Sequence, residues 1–403
     1  MPSVQPAPRT AVGPDARTTG FRRTVGAVFF VHGLLFASWA AHIPHVKARV
    51  GLSDGGLGLV LLATPVGSIA AMAIGAWLLP RVGSRRMVTC CLVGYCASGP
   101  FVGLATSAPA LFAALLCWGA FQGTLDVSMN TQAIACQRAA GRPIMSGMHG
   151  RWSLGALAGA GVGALGVGIG LSLALQLLIL GVAALPLVRW SWRLPDDHAE
   201  PESADSGPRA ARLPVRRWPR TVVLLAAIAF ASMLCEGAAA DWSAVYLRNS
   251  LGAAAVIASL GYAFFAAAMV LVRLGGDAVI ARRGTSRVVS ALCAAATVGF
   301  AAGLISGNTV VALIGLAMLG GGVATVVPTI FSAAGDLPGI PTSSGIAAVS
   351  ACGWAGFVCG PPLIGQLASA TSLPVALSVV PVLTAFIAIA MTARFSPRGP
   401  APR

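Results

Sequence analysis

The sequence predicts an all-α membrane protein of twelve transmembrane helices in two pseudo-symmetric six-helix bundles. Three observations lead there. The 403 residues are 56% hydrophobic and only 10% charged, with a mean hydropathy of +0.81. The apolar residues fall in continuous runs long enough to cross about 30 Å of hydrocarbon as helix. One long polar stretch divides those runs six and six. An ordinary soluble domain has about 25% charged residues, and so few charges would not cover the two or three soluble domains this length otherwise suggests. Disorder needs low hydrophobicity and is excluded. A β-barrel is disfavoured, because its strands would alternate over ~10-residue segments.

Taken in order, residues 1–23 form a Pro- and Arg-containing tail, expected to be disordered. It does not read as a cleaved signal, because the first apolar run is too long for an h-region and lacks a small-residue cleavage site. Spans 1 to 6 are predicted at 24–46, 55–79, 87–107, 110–137, 147–170 and 172–190. Residues 191–220, with Pro-Asp-Asp-His-Ala-Glu-Pro-Glu-Ser-Ala-Asp-Ser-Gly-Pro inside them, read as a flexible linker. Spans 7 to 12 follow at 221–247, 254–281, 287–306, 309–334, 343–369 and 373–393, and 394–403 is a tail. The 24–190 and 221–393 segments are thus the two bundles. Gly comes with Ala and Ser inside the runs, as at Gly155, Gly159, Gly161 and Gly163, where small residues let membrane helices approach closely. All nine cysteines fall inside predicted spans and read as packing residues without metal spacing.

The net charge of +15 sets orientation. Arg9, Arg17, Arg22 and Arg23 precede span 1; Arg81, Arg85 and Arg86 follow span 2; Arg138, Arg142 and Arg151 surround the loop between spans 4 and 5. Further arginines crowd the linker, the loop between spans 8 and 9 (Arg282, Arg283, Arg287) and the C-terminal tail. The opposite loops hold only Lys47, Arg49 and Arg248. The positive-inside rule then puts both termini in the cytoplasm. A nucleic-acid footprint is rejected, because the charges are split among short loops rather than gathered on one face.

The halves repeat. Gly75 and Gly276, Arg81 and Arg282, Gly83 and Gly284, Arg86 and Arg287, Gly155 and Gly356, and Gly159 and Gly360 are each 201 apart. Two similar six-helix halves are a transporter architecture with its site between them near the midplane. The loops after spans 2 and 8 resemble the Gly-x-x-x-Asp-Arg-x-Gly-Arg-Arg signature of the major facilitator superfamily, over nearly the whole chain. Pro80 and Ala281 stand where that signature has its Asp, so the gating contact credited to that Asp does not carry over. Gly123-Thr-Leu-Asp126-Val-Ser-Met-Asn130 resembles a segment of fucose permease and its sugar:proton symporter relatives. The segments Met145 to Gly155 and Glu236 to Leu247 resemble a nearby bacterial branch, the YbjJ-type inner-membrane proteins.

Of twelve acidic residues, four lie in spans: Asp126, Glu236, Asp241 and Asp277. An acid at a helix centre costs about 2.5–3.5 kcal/mol on insertion scales, so it is functional by default. Asp126 lies on one stripe of span 4 with Gln122 and Asn130, one turn to either side. It reads as a proton-coupling carboxyl beside two substrate-binding amides, or else as a packing group between helices. Glu236, midway along span 7 in the other half, is expected to meet that stripe across a central cavity and to share the proton role. Asp241 and Trp242, one turn outward, read as substrate contacts, or as a capping acid and an interface aromatic. His32 in span 1 either titrates at the substrate site or bonds a neighbouring helix. His42 and His45 are expected to be solvated. His149 and Arg151 open span 5 with Trp152 and are gating candidates with Arg81 and Arg282, or else Arg151 is a topology arginine beside an interface tryptophan. Arg273 and Asp277, one turn apart in span 8, are expected to pair or to hold the inward gate. Pro328 with Gly320, Gly321 and Gly322, and Pro361 with Pro362, are candidate bends.

No nucleophile elbow, phosphate loop or ATPase segment occurs. The expected protein is therefore not an enzyme and needs no cofactor. It is a monomeric secondary transporter in the lipid bilayer, moving a small molecule and protons by alternating access around spans 1, 4, 5, 7, 10 and 11. Efflux of a drug or metabolite, and a membrane sensor that moves nothing, are the alternatives.

Overall fold

The computed structural model describes residues 16–140, 144–195, 218–335, 337 and 342–395. All twelve predicted runs are helical, and among the described residues there is no strand. Span 1 is Ala16–Val50, span 3 Ser84–Leu104, span 4 Ala108–Ala140, span 5 Met145–Gly168, span 9 Thr285–Ser306 and span 11 Thr342–Ala370. The other six are each made of two pieces. Span 2 is Asp54–Leu61 with Ala63–Val82, span 6 Leu173–Ala183 with Leu185–Ser191, and span 7 Arg220–Val245 ending in a π-helical turn, Tyr246–Ser250. Span 8 is Ala255–Ser259 with Gly261–Arg283, span 10 Thr309–Val323 with Val326–Gly335, and span 12 Leu373–Leu377 with Val379–Phe395.

By length and apolarity, ten of the described helices suffice to cross a membrane, and eleven if the two pieces of span 6, bent by 40°, count as one. Span 5 falls short of the twelve expected. It has 24 residues, but His149, Arg151 and Ser153 near its start and dense glycine dilute its hydropathy. Span 1 begins at Ala16, inside the stretch read as a tail, because no proline interrupts the chain between Pro14 and Pro44. Most of the linker, 196–217, the first fifteen residues and 396–403 lie outside the described residues.

Three of the breaks share one cause. A proline has no N–H, so the carbonyl four residues earlier loses its helical partner. The first pieces of spans 2 and 12 end at Leu61 and Leu377, four residues before Pro65 and Pro381. Span 10 is interrupted at Ala324, four before Pro328. Span 11, where Pro361 and Pro362 are candidate bends, continues through both as one helix.

The halves repeat in structure as well. Gly83 and Gly284, which turn the chain after spans 2 and 8, have φ/ψ of 84°/144° and 83°/142°. A Cβ on Gly119 would strike the Thr64 carbonyl, and one on Gly320 the Phe265 carbonyl; both residues of the second contact lie 201 beyond those of the first. Gly155 meets the Phe30 backbone and Gly356 the Phe230 backbone in the same way. Span 5 thus lies on span 1, and span 11 on span 7, through glycine faces. Outside the bundles the surface is apolar: Ile305 is 85% exposed and Leu274 80%.

The halves meet most closely at the end bearing the short loops, opposite the linker. There the Gly55 N–H donates to Ser369 Oγ at 2.7 Å, joining span 2 to span 11. Ser259 Oγ of span 8 donates to the Ala41 carbonyl of span 1 at 2.9 Å. At the linker end no comparable packing joins span 4 to spans 10 or 11 among the described residues. His42, expected in solvent, is instead buried. It bonds Gln176 Oε1 at 3.0 Å, and Gln176 also holds Ser38, so a satisfied polar triad replaces hydration. His45 is exposed. No disulfide joins the cysteines among the described residues; Cys91, Cys136, Cys235 and Cys293 are buried, and Cys90, Cys117 and Cys359 face outward.

Candidate functional site

A chain of rings crosses from one half to the other. Trp118 stacks on Tyr95 at 4.9 Å, and Tyr95 on His32 at 5.4 Å. His32 neighbours Trp152 at 6.4 Å, and Trp152 neighbours Phe36 at 6.1 Å. Phe36 of span 1 then meets Tyr262 of span 8 edge-on at 6.3 Å, and Tyr262 stacks on Phe265 at 5.7 Å. The Phe36–Tyr262 contact is where the chain passes between the halves. Such offset and edge-on pairs stabilise packing beyond their buried area.

His32 is held at both nitrogens. Trp152 Nε1–H donates to His32 Nδ1 at 2.7 Å, so that nitrogen is an acceptor and the proton sits on Nε2. Nε2 faces the Gln122 carbonyl at 3.4 Å. Of its two expected roles, His32 fills the helix-bridging one in this state. Gln122 shows a different surface to the centre: its side-chain Oε1 is buried and has no hydrogen-bond partner. One turn on, Asn130 Nδ2 donates to the Asp126 backbone carbonyl at 2.8 Å and reaches its carboxylate at 3.3 Å. Asp126 and Asn130 are therefore a connected pair on the span 4 stripe, with Asp126 half-buried.

A second polar group lies in the other half. Glu236 has a buried carboxylate oxygen without a hydrogen-bond partner. Arg273 of span 8 acts on it electrostatically, and Tyr262 lies within reach of Glu236, Asp241 and Arg273 together. Trp242 is fully buried with its indole nitrogen unpartnered, so it packs in the core rather than at an interface. Among the described residues no hydrogen bond joins Asp126 to Glu236.

The gating candidates divide. Arg81 folds back on its own helix, 4.0 Å over the Trp77 ring and bonded to the Trp77 carbonyl. Arg282 is exposed. His149 stands edge-on to Phe29 at 5.4 Å, and Arg151 lies across Gly26, tying span 5 to span 1. Arg273 donates to the Ala324 carbonyl of span 10 at 3.1 Å and to Ser153 Oγ of span 5, in the other half, at 3.3 Å. The Asp277 side chain lies outside the described residues. No group of three metal-ligating side chains occurs among the described residues.

Sequence reasoning missed Tyr95, Tyr262 and Ser153, and with Tyr262 and Arg273 the contribution of span 8 to the centre. One signal was present: the chain has only three tyrosines, and a hydroxyl in an apolar span needs a reason.

The model of the Major Facilitator Superfamily matches residues 25–344. An uncharacterized MFS-type transporter of Yersinia pestis is 34% identical over 370 residues, 91% of this chain and 93% of that protein. The membrane protein MosC of Rhizobium meliloti is 31% identical over 387 residues, 95% of this chain and 93% of that protein. Among solved structures, a point mutant of the nucleoside transporter NupG superposes with a TM-score of 0.76 at 15% identity, covering 93% of this chain and 100% of that one. A bacterial homologue of the human lysosomal transporter Spinster, inward-facing and occupied, gives 0.70 at 14% identity, covering 94% and 96%. At those identities the likeness is one of fold, whereas the family match covers well over half of the chain and the curated relatives nearly all of it. The chain belongs to the Major Facilitator Superfamily and is a multi-pass membrane transporter, not an enzyme.

Proposed function

We propose that this transporter couples a small polar solute to protons, as a symporter of the bacterial cytoplasmic membrane close to the YbjJ-type and fucose-permease-like branch. Both termini lie in the cytoplasm on this reading, and the linker end is the cytoplasmic end. The observation that carries the reading is the pair of spanning carboxyls, one per half: Asp126 beside Asn130, and Glu236 with an unpartnered oxygen. Carboxyls at that depth are retained against a penalty of a few kcal/mol. A proton taken up by Asp126 removes its charge before the halves rock, and release on the other side restores it. Gln122 Oε1 and Asn130 provide acceptor and donor to a hydroxylated solute, and the rings around His32 provide flat apolar faces.

The test is proton movement in proteoliposomes on adding sugars, nucleosides and lipophilic cations in turn, followed by labelled counterflow of any hit. Asp126→Asn is expected to abolish accumulation driven by a pH gradient and to leave counterflow intact. Gradient-driven accumulation equal to wild type in that variant sinks the coupling role. Protons moving against the solute instead of with it mark an exporter, and ligand binding without counterflow marks a sensor.

A further inference from the structure

We infer that Arg273 is a latch between the two halves, kept in place by a backbone carbonyl that Pro328 leaves unpaired and released when Glu236 claims its guanidinium. The inference rests on the transporter reading and adds the device that ties carboxyl charge to the rocking of the halves. In an unbroken helix the Ala324 carbonyl would accept from the N–H of residue 328. That residue is proline and has none. Helical bonding resumes one step later, with the Thr329 N–H on the Thr325 carbonyl at 3.2 Å. Ala324 is fully buried, so its carbonyl needs another donor. Arg273 Nε supplies it at 3.1 Å.

That bond fixes the guanidinium, and its geometry does the rest. With Nε committed to span 10, Nη1 points to Ser153 Oγ at 3.3 Å, across the boundary to span 5. Ser153 is poised to accept, because its own hydroxyl proton is directed to the His149 carbonyl at 3.2 Å. Ser153 and Arg273 both lie toward the linker-end portions of their helices, so the halves cannot part there while this bond stands. Glu236 is the competitor. Among the described residues its buried carboxylate oxygen has no hydrogen-bond partner, and Arg273 is the charged group that acts on it. Tyr262 of span 8, with Cys235 and Asp241 of its own span, are the other titratable groups near it. Among the described residues, spans 1, 10, 11 and 12 bring it no further charge. A neutral Glu236 leaves the guanidinium on Ser153 and the linker end held. A charged Glu236 draws it away and frees the halves.

The experiment measures distances between spin labels in full-length protein whose native cysteines have been replaced. One pair is R86C/R287C, exposed repeat-related positions at the linker end; the other is A48C/T371C at the short-loop end. Ser153→Ala and Pro328→Ala, which restores an N–H to compete for the Ala324 carbonyl, are each expected to raise the wide-distance population at the linker end about ten- to a hundredfold, the worth of one hydrogen bond to a charged group. Glu236→Gln is expected to lower it and to make it equal at acid and alkaline pH. In an Arg273→Gln background Pro328→Ala should add nothing, because both remove the same contact. Unchanged distributions in both Ser153→Ala and Pro328→Ala overturn the latch, as does an undiminished Pro328→Ala effect without Arg273. The distances need no substrate, so the latch can fail while the uptake results for Asp126→Asn stand, and the reverse.

Discussion

The pairing of span 5 with span 1 makes a prediction of sign as well as size. A Cβ on Gly155 would lie 2.8 Å from the Phe30 carbonyl carbon and 2.9 Å from its Cα, and would overlap the carbonyl oxygen. Carbon atoms pack best at about 3.5–4.0 Å, so Gly155→Ala forces the two helices apart by about 1 Å. The obstacle is backbone, which has no rotamer to yield. Overpacking of this kind costs about 1–3 kcal/mol. At 1.4 kcal/mol per decade, the folded-to-unfolded ratio falls by about five- to a hundredfold. Gly161, on the same helix, meets nothing within 4 Å. There alanine replaces the worst ordinary helix former with the best, a gain of up to about 1 kcal/mol. Gly155→Ala should therefore destabilise and Gly161→Ala should not, in the same helix and for the same chemical change. Unfolding in detergent followed by tryptophan fluorescence reads both, and Gly356→Ala, the repeat-related position against Phe230, should follow Gly155→Ala. Equal shifts of the same sign for Gly155→Ala and Gly161→Ala would refute the packing described for span 5.

Two further outcomes follow from contacts nearer the site. Trp152→Phe keeps a ring beside Phe36 but leaves the buried His32 Nδ1 without its donor at 2.7 Å, so it should lose about 1–3 kcal/mol of stability, and His32→Phe on top of it should recover part of that loss. Ser369→Ala removes the acceptor of the Gly55 N–H at the short-loop end; a bond worth about 1 kcal/mol should shift the A48C/T371C distance toward open about fivefold, and an unchanged distribution would show that this contact does not hold that end shut.

Much of the fold was legible because its causes are local. Every run long and apolar enough was found helical, Gly83 and Gly284, 201 residues apart, share backbone angles, and Gly155 and Gly356 each meet a phenylalanine backbone. The failures were local too. Span 5 is less apolar than its place in the bundle suggests, and span 1 begins at Ala16, inside the stretch read as a tail. The site was legible only as a set of polar residues at membrane depth. Asp126 and Asn130 share one helix face, and a one-turn spacing places them together. Nothing in the spacing of Arg273 and Asp277 shows that Arg273 bonds Ser153, 120 residues away, nor that Trp152 would occupy His32. Polar residues also break the repeat: Leu35 and Met233 stand 201 residues from Glu236 and His32, so symmetry offered no guide to them.

The sequence by itself determined that the chain spans a membrane many times, where its helices lie and that it is built twice over. Hydrocarbon imposes those properties segment by segment: each run must satisfy its own backbone hydrogen bonds and match one thickness. Only the tertiary structure decided which polar atoms meet. Helices apolar on every side carry no periodicity to say which face turns inward, so their rotation is set by close approach of small residues on distant segments. From that rotation come the ring chain across the halves, the commitment of His32 to Trp152 and the reach of Arg273 from the broken span 10 to the opposite half.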